Sequence, residues 1–253
     1  MNRQAQAVVL LLLGGAVLKA SVTDIYLRYV KEGLRPFLIA AGILLVVAAV
    51  MTLVYDLRQP VSTATGDPEG DGQEHDHGHD HGHGGKGHHE PRVGWLLILP
   101  VLGLLLITPP ALGSYAVGQA GTALSRQEMS DYPPLPEGDP VKISVLDYAS
   151  RALFEKGASI GDRRVRITGF IASGPGGEPI LARMILSCCA ADGRPIKLGM
   201  AGDPPTGLAA DTWVEVVGRY VDRTGTDPVN GEDIPYIQVE SWQQVDAPKN
   251  PYE

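Results

Sequence analysis

Val165-Arg166-Ile167-Thr168-Gly169-Phe170-Ile171 alternates with a period of two, and Ser173-Gly174-Pro175-Gly176-Gly177 follows it at once. A period of two belongs to a strand with one face on a core, and a glycine and proline cluster makes a turn. Working outward, Ile180 to Ser187, Pro195 to Met200, Trp213 to Val221 and Tyr236 to Val239 are further strand candidates, and Leu146 to Glu155 reads as one short helix. Residues 141–253 are enough for one small core. Five short strands and a helix predict a β-rich domain, either a small barrel of the oligonucleotide/oligosaccharide-binding (OB-like) shape or a comparable sandwich.

Upstream the composition changes. A linker at 118–140 ends in Tyr132-Pro133-Pro134-Leu135-Pro136-Glu137-Gly138-Asp139-Pro140. Before it, Phe37 to Tyr55 carries no charge and is bracketed by Pro36 and Asp56. As a helix this run is long enough to cross a hydrocarbon core of ~30 Å. Val93 to Val117 is also free of charge, with Trp95 and Tyr115 as interfacial anchors and Pro109-Pro110 as the end of its helical part. Val8 to Leu18 is shorter and fits a signal-peptide core as well as a membrane helix; Leu18 makes a poor cleavage position, which favours a retained helix from about Ala5 to Thr23.

The expected class is a membrane protein with N-terminal transmembrane α-helices and a C-terminal β-rich domain. Two transmembrane helices occupy 1–58, a histidine-rich disordered loop 59–92, a third transmembrane helix 93–117, the linker 118–140 and the soluble domain 141–253. Basic residues do not orient it: Lys19, Arg28, Lys31 and Arg35 on one side face Arg3, Arg58, Lys86 and Arg92 on the other. The proline-rich linker inclines the reading toward an extracytoplasmic C-terminal domain in a multi-pass protein of the cell membrane.

All seven histidines fall in one stretch: His75, His77, His79, His81, His83, His88 and His89. Neutral imidazole is a good ligand for zinc, nickel and copper, and a glycine-rich chain lets several rings turn toward one ion. Imidazole also titrates near pH ~6.5, so the loop suits either metal capture or pH sensing.

The two cysteines are adjacent, in Leu186-Ser187-Cys188-Cys189-Ala190-Ala191-Asp192-Gly193. Neighbouring cysteines make a strained disulfide, so the pair is no ordinary staple. In a continuing strand the two thiols would face opposite sides, and joint ligation of one ion needs a bend, which Ala-Ala-Asp-Gly could supply. Cys188, Cys189 and Asp192 are therefore candidate metal ligands; the alternative is that the thiols are small buried hydrophobes.

The formal net charge is −8, most of the acidic excess lying after residue 116. That balance argues against a nucleic-acid partner. No histidine lies in the C-terminal part to serve a cysteine nucleophile as base, so catalysis is not expected.

The order of these features resembles a family of bacterial permease subunits of YcgQ type. The likeness runs from the N-terminal hydrophobic segments through Gly169-Phe170-Ile171, Arg183, Ser187-Cys188-Cys189-Ala190-Ala191-Asp192 and Asp211-Thr212-Trp213-Val214-Glu215-Val216-Val217-Gly218. It closes with Ile234-Pro235-Tyr236-Ile237 and Pro251-Tyr252. The resemblance implies a polytopic permease subunit as partner and handling of a divalent transition metal, zinc first. The expected function is thus an accessory subunit of a two-component membrane permease; a membrane-anchored metal or pH sensor, without a transport role, is the alternative.

Overall fold

The computed structural model describes residues 3–58, 102–103, 106–107, 109–124 and 132–253. The histidine loop 59–92, the first nine residues and a few others of the third apolar run, and part of the linker lie outside the described residues. The chain divides into two compact units, Met1–Lys19 with Leu38–Thr108, and Ala20–Phe37 with Pro109–Glu253.

The first unit holds most of helices α1 (Arg3–Val22) and α2 (Arg35–Arg58). Both are rich in apolar residues, and neither shows a strong apolar stripe. Their backbones approach closely at two glycines. A Cβ on Gly14 would lie 2.9 Å from Val46 and 3.0 Å from the Gly42 carbonyl, and one on Gly42 would lie 2.8 Å from Leu18. Small residues at such a crossing let helices pack by van der Waals contact, as they do in apolar surroundings. Glu32–Tyr55 is the one stretch among the described residues long and apolar enough to cross a membrane; Gln6–Val22 is a shorter apolar helix. Phe37, Leu44, Met51 and Leu57 on α2 are exposed, so α2 is a candidate anchor or signal segment. The multi-pass arrangement expected from sequence is not reproduced among the described residues.

The second unit is built on a five-stranded β-barrel. Its strands are β2 (Val165–Ser173), β3 (Pro179–Ile185), β4 (Arg194–Gly202), β5 (Trp213–Thr226) and β6 (Asp233–Gln244), with a two-residue strand β1 (Val141–Lys142) alongside β2. The order is β1-β2-β3-β4-β6-β5, and β5 pairs back onto β2. That closing pair, from Val165 opposite Gly218 to Phe170 opposite Trp213, makes a barrel and rules out the sandwich. Neighbours are antiparallel except β4 with β6 and β1 with β2.

The interior is filled by the period-two residues. Val165 and Ile167 are fully buried with Leu181, Ile196, Leu198, Val214, Val216 and Ile237, each such side chain contributing about 1.5–3 kcal/mol. Helix α4 (Val145–Phe154; α3 is introduced below) packs on this cluster through Val145, Tyr148, Ala149 and Ala152. It starts where Ser144 accepts the Asp147 amide at 2.9 Å, a side-chain cap. Gly169 has no room for a side chain: a Cβ there would meet the Ala182 carbonyl at 2.7 Å.

Alternation along β2 holds to Thr168, but Gly169 to Ala172 are all buried. The reason is an outer cover. Val117, Leu112 and Ala116 join Tyr252 against Phe170, Ala172, Ile180, Ala182 and Met184 to form a second apolar cluster. A short helix α3 (Ser114–Gln119) supplies Val117, which is 1 % exposed. Residues 109–117, expected at the end of a third span, therefore belong to the barrel unit. Asp211 fixes this segment by accepting the Ser114 amide at 2.6 Å and the Ser114 hydroxyl at 2.8 Å.

One buried ion pair pins the next stretch. Lys197 meets Asp227 at 2.9 Å with both side chains almost wholly enclosed, and Asp227 also accepts the amides of Thr122 and Val229. Burial alone would raise the Asp227 carboxyl, but Lys197 and the two amides outweigh it and hold the group below its ordinary value.

Candidate metal-binding loop

Residues 186–193 connect β3 to β4 and carry both cysteines. Strand β3 ends at Ile185, and a single 3-10 turn occupies Ala190–Asp192, which is the bend that joint ligation requires. Asp192 organises the loop. One carboxylate oxygen accepts the Ser187 amide at 2.7 Å, and the other accepts the amides of Cys188 and Cys189 at 2.8 and 3.1 Å. In return the Cys189 side chain accepts from the Asp192 backbone. The result is a tight ring of short-range bonds in which the two sulfurs and a carboxylate oxygen all lie within 4.8 Å of one another.

Both thiols are free, Cys188 exposed and Cys189 half-buried. The Cys188 thiol donates to Asp192 and is pushed up to about 11, with Cys189 adding to the effect. Asp192 is correspondingly held well below the usual carboxylate range, first by the Cys188 thiol and then by the three backbone amides. Deprotonation costs more at Cys188 than in a free thiol, so Cys188 is poorly suited to act as a nucleophile at neutral pH.

A thiophilic cation is the partner that could remove those protons, since a metal binds thiolate and releases the proton. The donor set fits two sulfur ligands plus a carboxylate whose oxygens already serve amides. A closed tetrahedral zinc site takes four protein ligands, so this loop, with three donors, is one short of a closed site. His75, His77, His79, His81, His83, His88 and His89 lie outside the described residues.

A segment that sequence reading did not connect with the cysteines lies against them. Val30 forms an antiparallel bridge with Cys189. The Lys31 amide donates to the Cys188 carbonyl at 3.0 Å and the Ala190 amide to the Tyr29 carbonyl at 2.7 Å. This segment, which links α1 to α2, is anchored by the buried side chains of Tyr26 and Leu27. The Tyr29 hydroxyl donates to the Pro109 carbonyl at 2.7 Å. No local period in 20–37 announces this role.

Two other residues singled out in the sequence also have defined places. Trp213 meets Phe170 edge-on at 5.5 Å, and Tyr236 lies under the Arg223 guanidinium at 4.2 Å. These are packing contacts within the barrel unit.

A small closed barrel, wrapped by a segment between two apolar helices and carrying a Cys-Cys-Ala-Ala-Asp ring at one connection, defines the class. Residues 5–123 match the DUF1980 N-terminal domain and residues 151–253 match the DUF1980 C-terminal domain. The chain belongs to the DUF1980 family. No curated protein matches it. The N-terminal match includes 20–37 and 109–123, so part of it builds the barrel unit.

Proposed function

We propose that this protein is a membrane-anchored accessory subunit of a two-component permease, of the YcgQ type, that handles a divalent transition metal, zinc first. The observation that carries the reading is the ring at Cys188, Cys189 and Asp192, with its ligand atoms within 4.8 Å and Cys188 exposed. Two thiols with an open coordination sphere suit transfer, because an incoming donor can complete the sphere and take the ion onward. The histidine tract would raise the local metal concentration, and a polytopic partner would supply the pore. No catalytic role is assigned to the thiols.

The topology proposed for the anchor has three crossings. The 20–37 segment bonds to the barrel unit, so both stand on one side of the bilayer. With α1 and α2 both crossing, the chain must cross once more between residues 58 and 109, where the uncharged run from Val93 lies. The histidine loop then sits on the opposite side. The barrel is read as OB-like, and as extracytoplasmic.

A second reading is favoured by the backbone bonds from Cys188 and Ala190 to Lys31 and Tyr29. Metal on the thiols would bear directly on the connector of two membrane helices, as a sensor requires. The deciding experiment is zinc titration of the full chain in detergent beside a variant with Cys188→Ser and Cys189→Ser and a variant lacking residues 75–89. Tight zinc lost with the cysteines supports the subunit reading. Tight zinc unaffected by them removes it.

A further inference from the structure

We propose a second, unrelated binding site: the cavity of about 430 Å³ beside β1 and the start of α4 takes the oxyanion group, phosphate or carboxylate, of a small ligand, held by Arg183 and Lys142. Its size falls in the range of small-molecule sites, which run from ~300 to ~1,000 Å³.

Arg183 carries the argument. It is 8 % exposed, and a buried charge is costly unless its donors are met. One guanidinium nitrogen, Nη2, donates to the Asn250 carbonyl at 3.0 Å, and the group stacks on Trp213 at 4.7 Å. Its Nε has no hydrogen-bond partner. The nearest acid, Glu253, stands at 3.8 Å, beyond hydrogen-bonding distance. The Glu253 oxygens are engaged elsewhere, accepting the Val145 and Leu146 amides at 3.1 and 3.0 Å where α4 begins.

The remaining polar groups of the cavity are donors. Lys142 lines it and forms no ion pair among the described residues. Thr168 offers a hydroxyl, and Ser144, whose oxygen accepts from Asp147, still has its own hydrogen to give. Two cations and two hydroxyls face one acid already bound to a helix N-terminus. An oxyanion at the cavity wall formed by Arg183 and Lys142 balances the two cations, which is the recognition chemistry guanidinium and ammonium groups provide.

Trp213 supplies a reporter. Inorganic phosphate is titrated into the full chain in uncharged detergent, with ionic strength held by chloride, while tryptophan emission is followed; Trp213→Phe assigns the signal. The expected result is a saturable change whose midpoint rises about tenfold in Lys142→Ala, the loss of one charge-assisted bond, and which vanishes in Arg183→Gln. Thermal unfolding checks that each variant keeps its fold, and Lys142, being exposed, carries the test even should Arg183→Gln not fold. Repeating the titration in nanodiscs of neutral lipid and of lipid containing phosphatidylglycerol separates the sources. Loss of the phosphate response only with anionic lipid assigns the site to a headgroup, and an unchanged response assigns it to a soluble anion. Absence of any saturable response, or an unaltered midpoint in folded Lys142→Ala, overturns the proposal.

Discussion

The Tyr252 hydroxyl donates to the Arg28 carbonyl at 2.7 Å across 224 positions of sequence. It also accepts the Leu112 amide at 2.9 Å, while its ring completes the apolar cover on β2 and β3. One side chain thus ties the connector of the two helices, the approach to α3 and the barrel wall. Burial raises its phenol above the ordinary value, so it stays protonated and able to donate.

Tyr252→Phe keeps the ring and removes both bonds. Two part-buried backbone groups lose their partner, and the variant should be less stable by about 1–3 kcal/mol. Hydrogen exchange at Leu112 should speed up. An unchanged exchange rate there would show that the hydroxyl is not the tie.

Asp192→Asn should lower the Cys188 titration from about 11 toward that of an ordinary thiol, because the carboxylate is the first cause of its shift. Alkylation rate against pH reads this directly. The same variant loosens the amides of Ser187, Cys188 and Cys189. A profile superimposable on that of the parent would refute the assigned partner.

Zinc binding at the cysteine pair should strengthen as pH rises. Cys188 is protonated up to about 11, so each ion bound through it displaces a proton across the whole range from neutral to that value. Affinity measured at three pH values, with proton release into two buffers of different ionisation heat, checks the sign. Affinity independent of pH would place the metal elsewhere.

Asp227→Asn should cost about 3–5 kcal/mol at neutral pH, since it leaves Lys197 buried without its charge partner. The Asp227 carboxyl lies below its ordinary value of 3.8. Its stabilisation is therefore fully present above that value and fades as pH falls through the lower folded one. The variant should show a shallower loss of stability below pH ~4, read by denaturant unfolding. An acid limb as steep as the parent's would argue against the pair.

Gly169→Ala should lose about 1–3 kcal/mol, because the new methyl meets the Ala182 carbonyl, which is backbone and cannot turn aside. Denaturant midpoints compare the two proteins.

The barrel was readable where its strands obey their period. Val165 to Thr168 and the turn after Ser173 locate β2, and the run read as a helix, Leu146 to Glu155, differs from α4 by one residue at each end. Strands β5 and β6 run longer than their apolar cores, to Thr226 and Gln244, because register shifts at Val217/Gly218 and between Tyr220 and Thr224 let polar residues continue the pairing. Strand β1 is two residues long and has no period to show. At the site, the clustering of Cys188, Cys189 and Asp192 followed from their spacing. The bridge to Val30 did not, since contacts between distant stretches leave no mark on either one. Arg183 is buried, donates to the Asn250 carbonyl and stacks on Trp213, a setting that its strand position alone does not announce.

The wrapping of the barrel by 20–37 and by Tyr252 also sets an order of events. During synthesis Arg28 in the connector emerges 224 residues before the tyrosine that holds it down. For that interval the Tyr29–Lys31 backbone has neither Cys188 nor Ala190 to pair with. The connector therefore stays unfastened until Tyr252 emerges, and until then the apolar cover on β2 and β3 lacks one of its members.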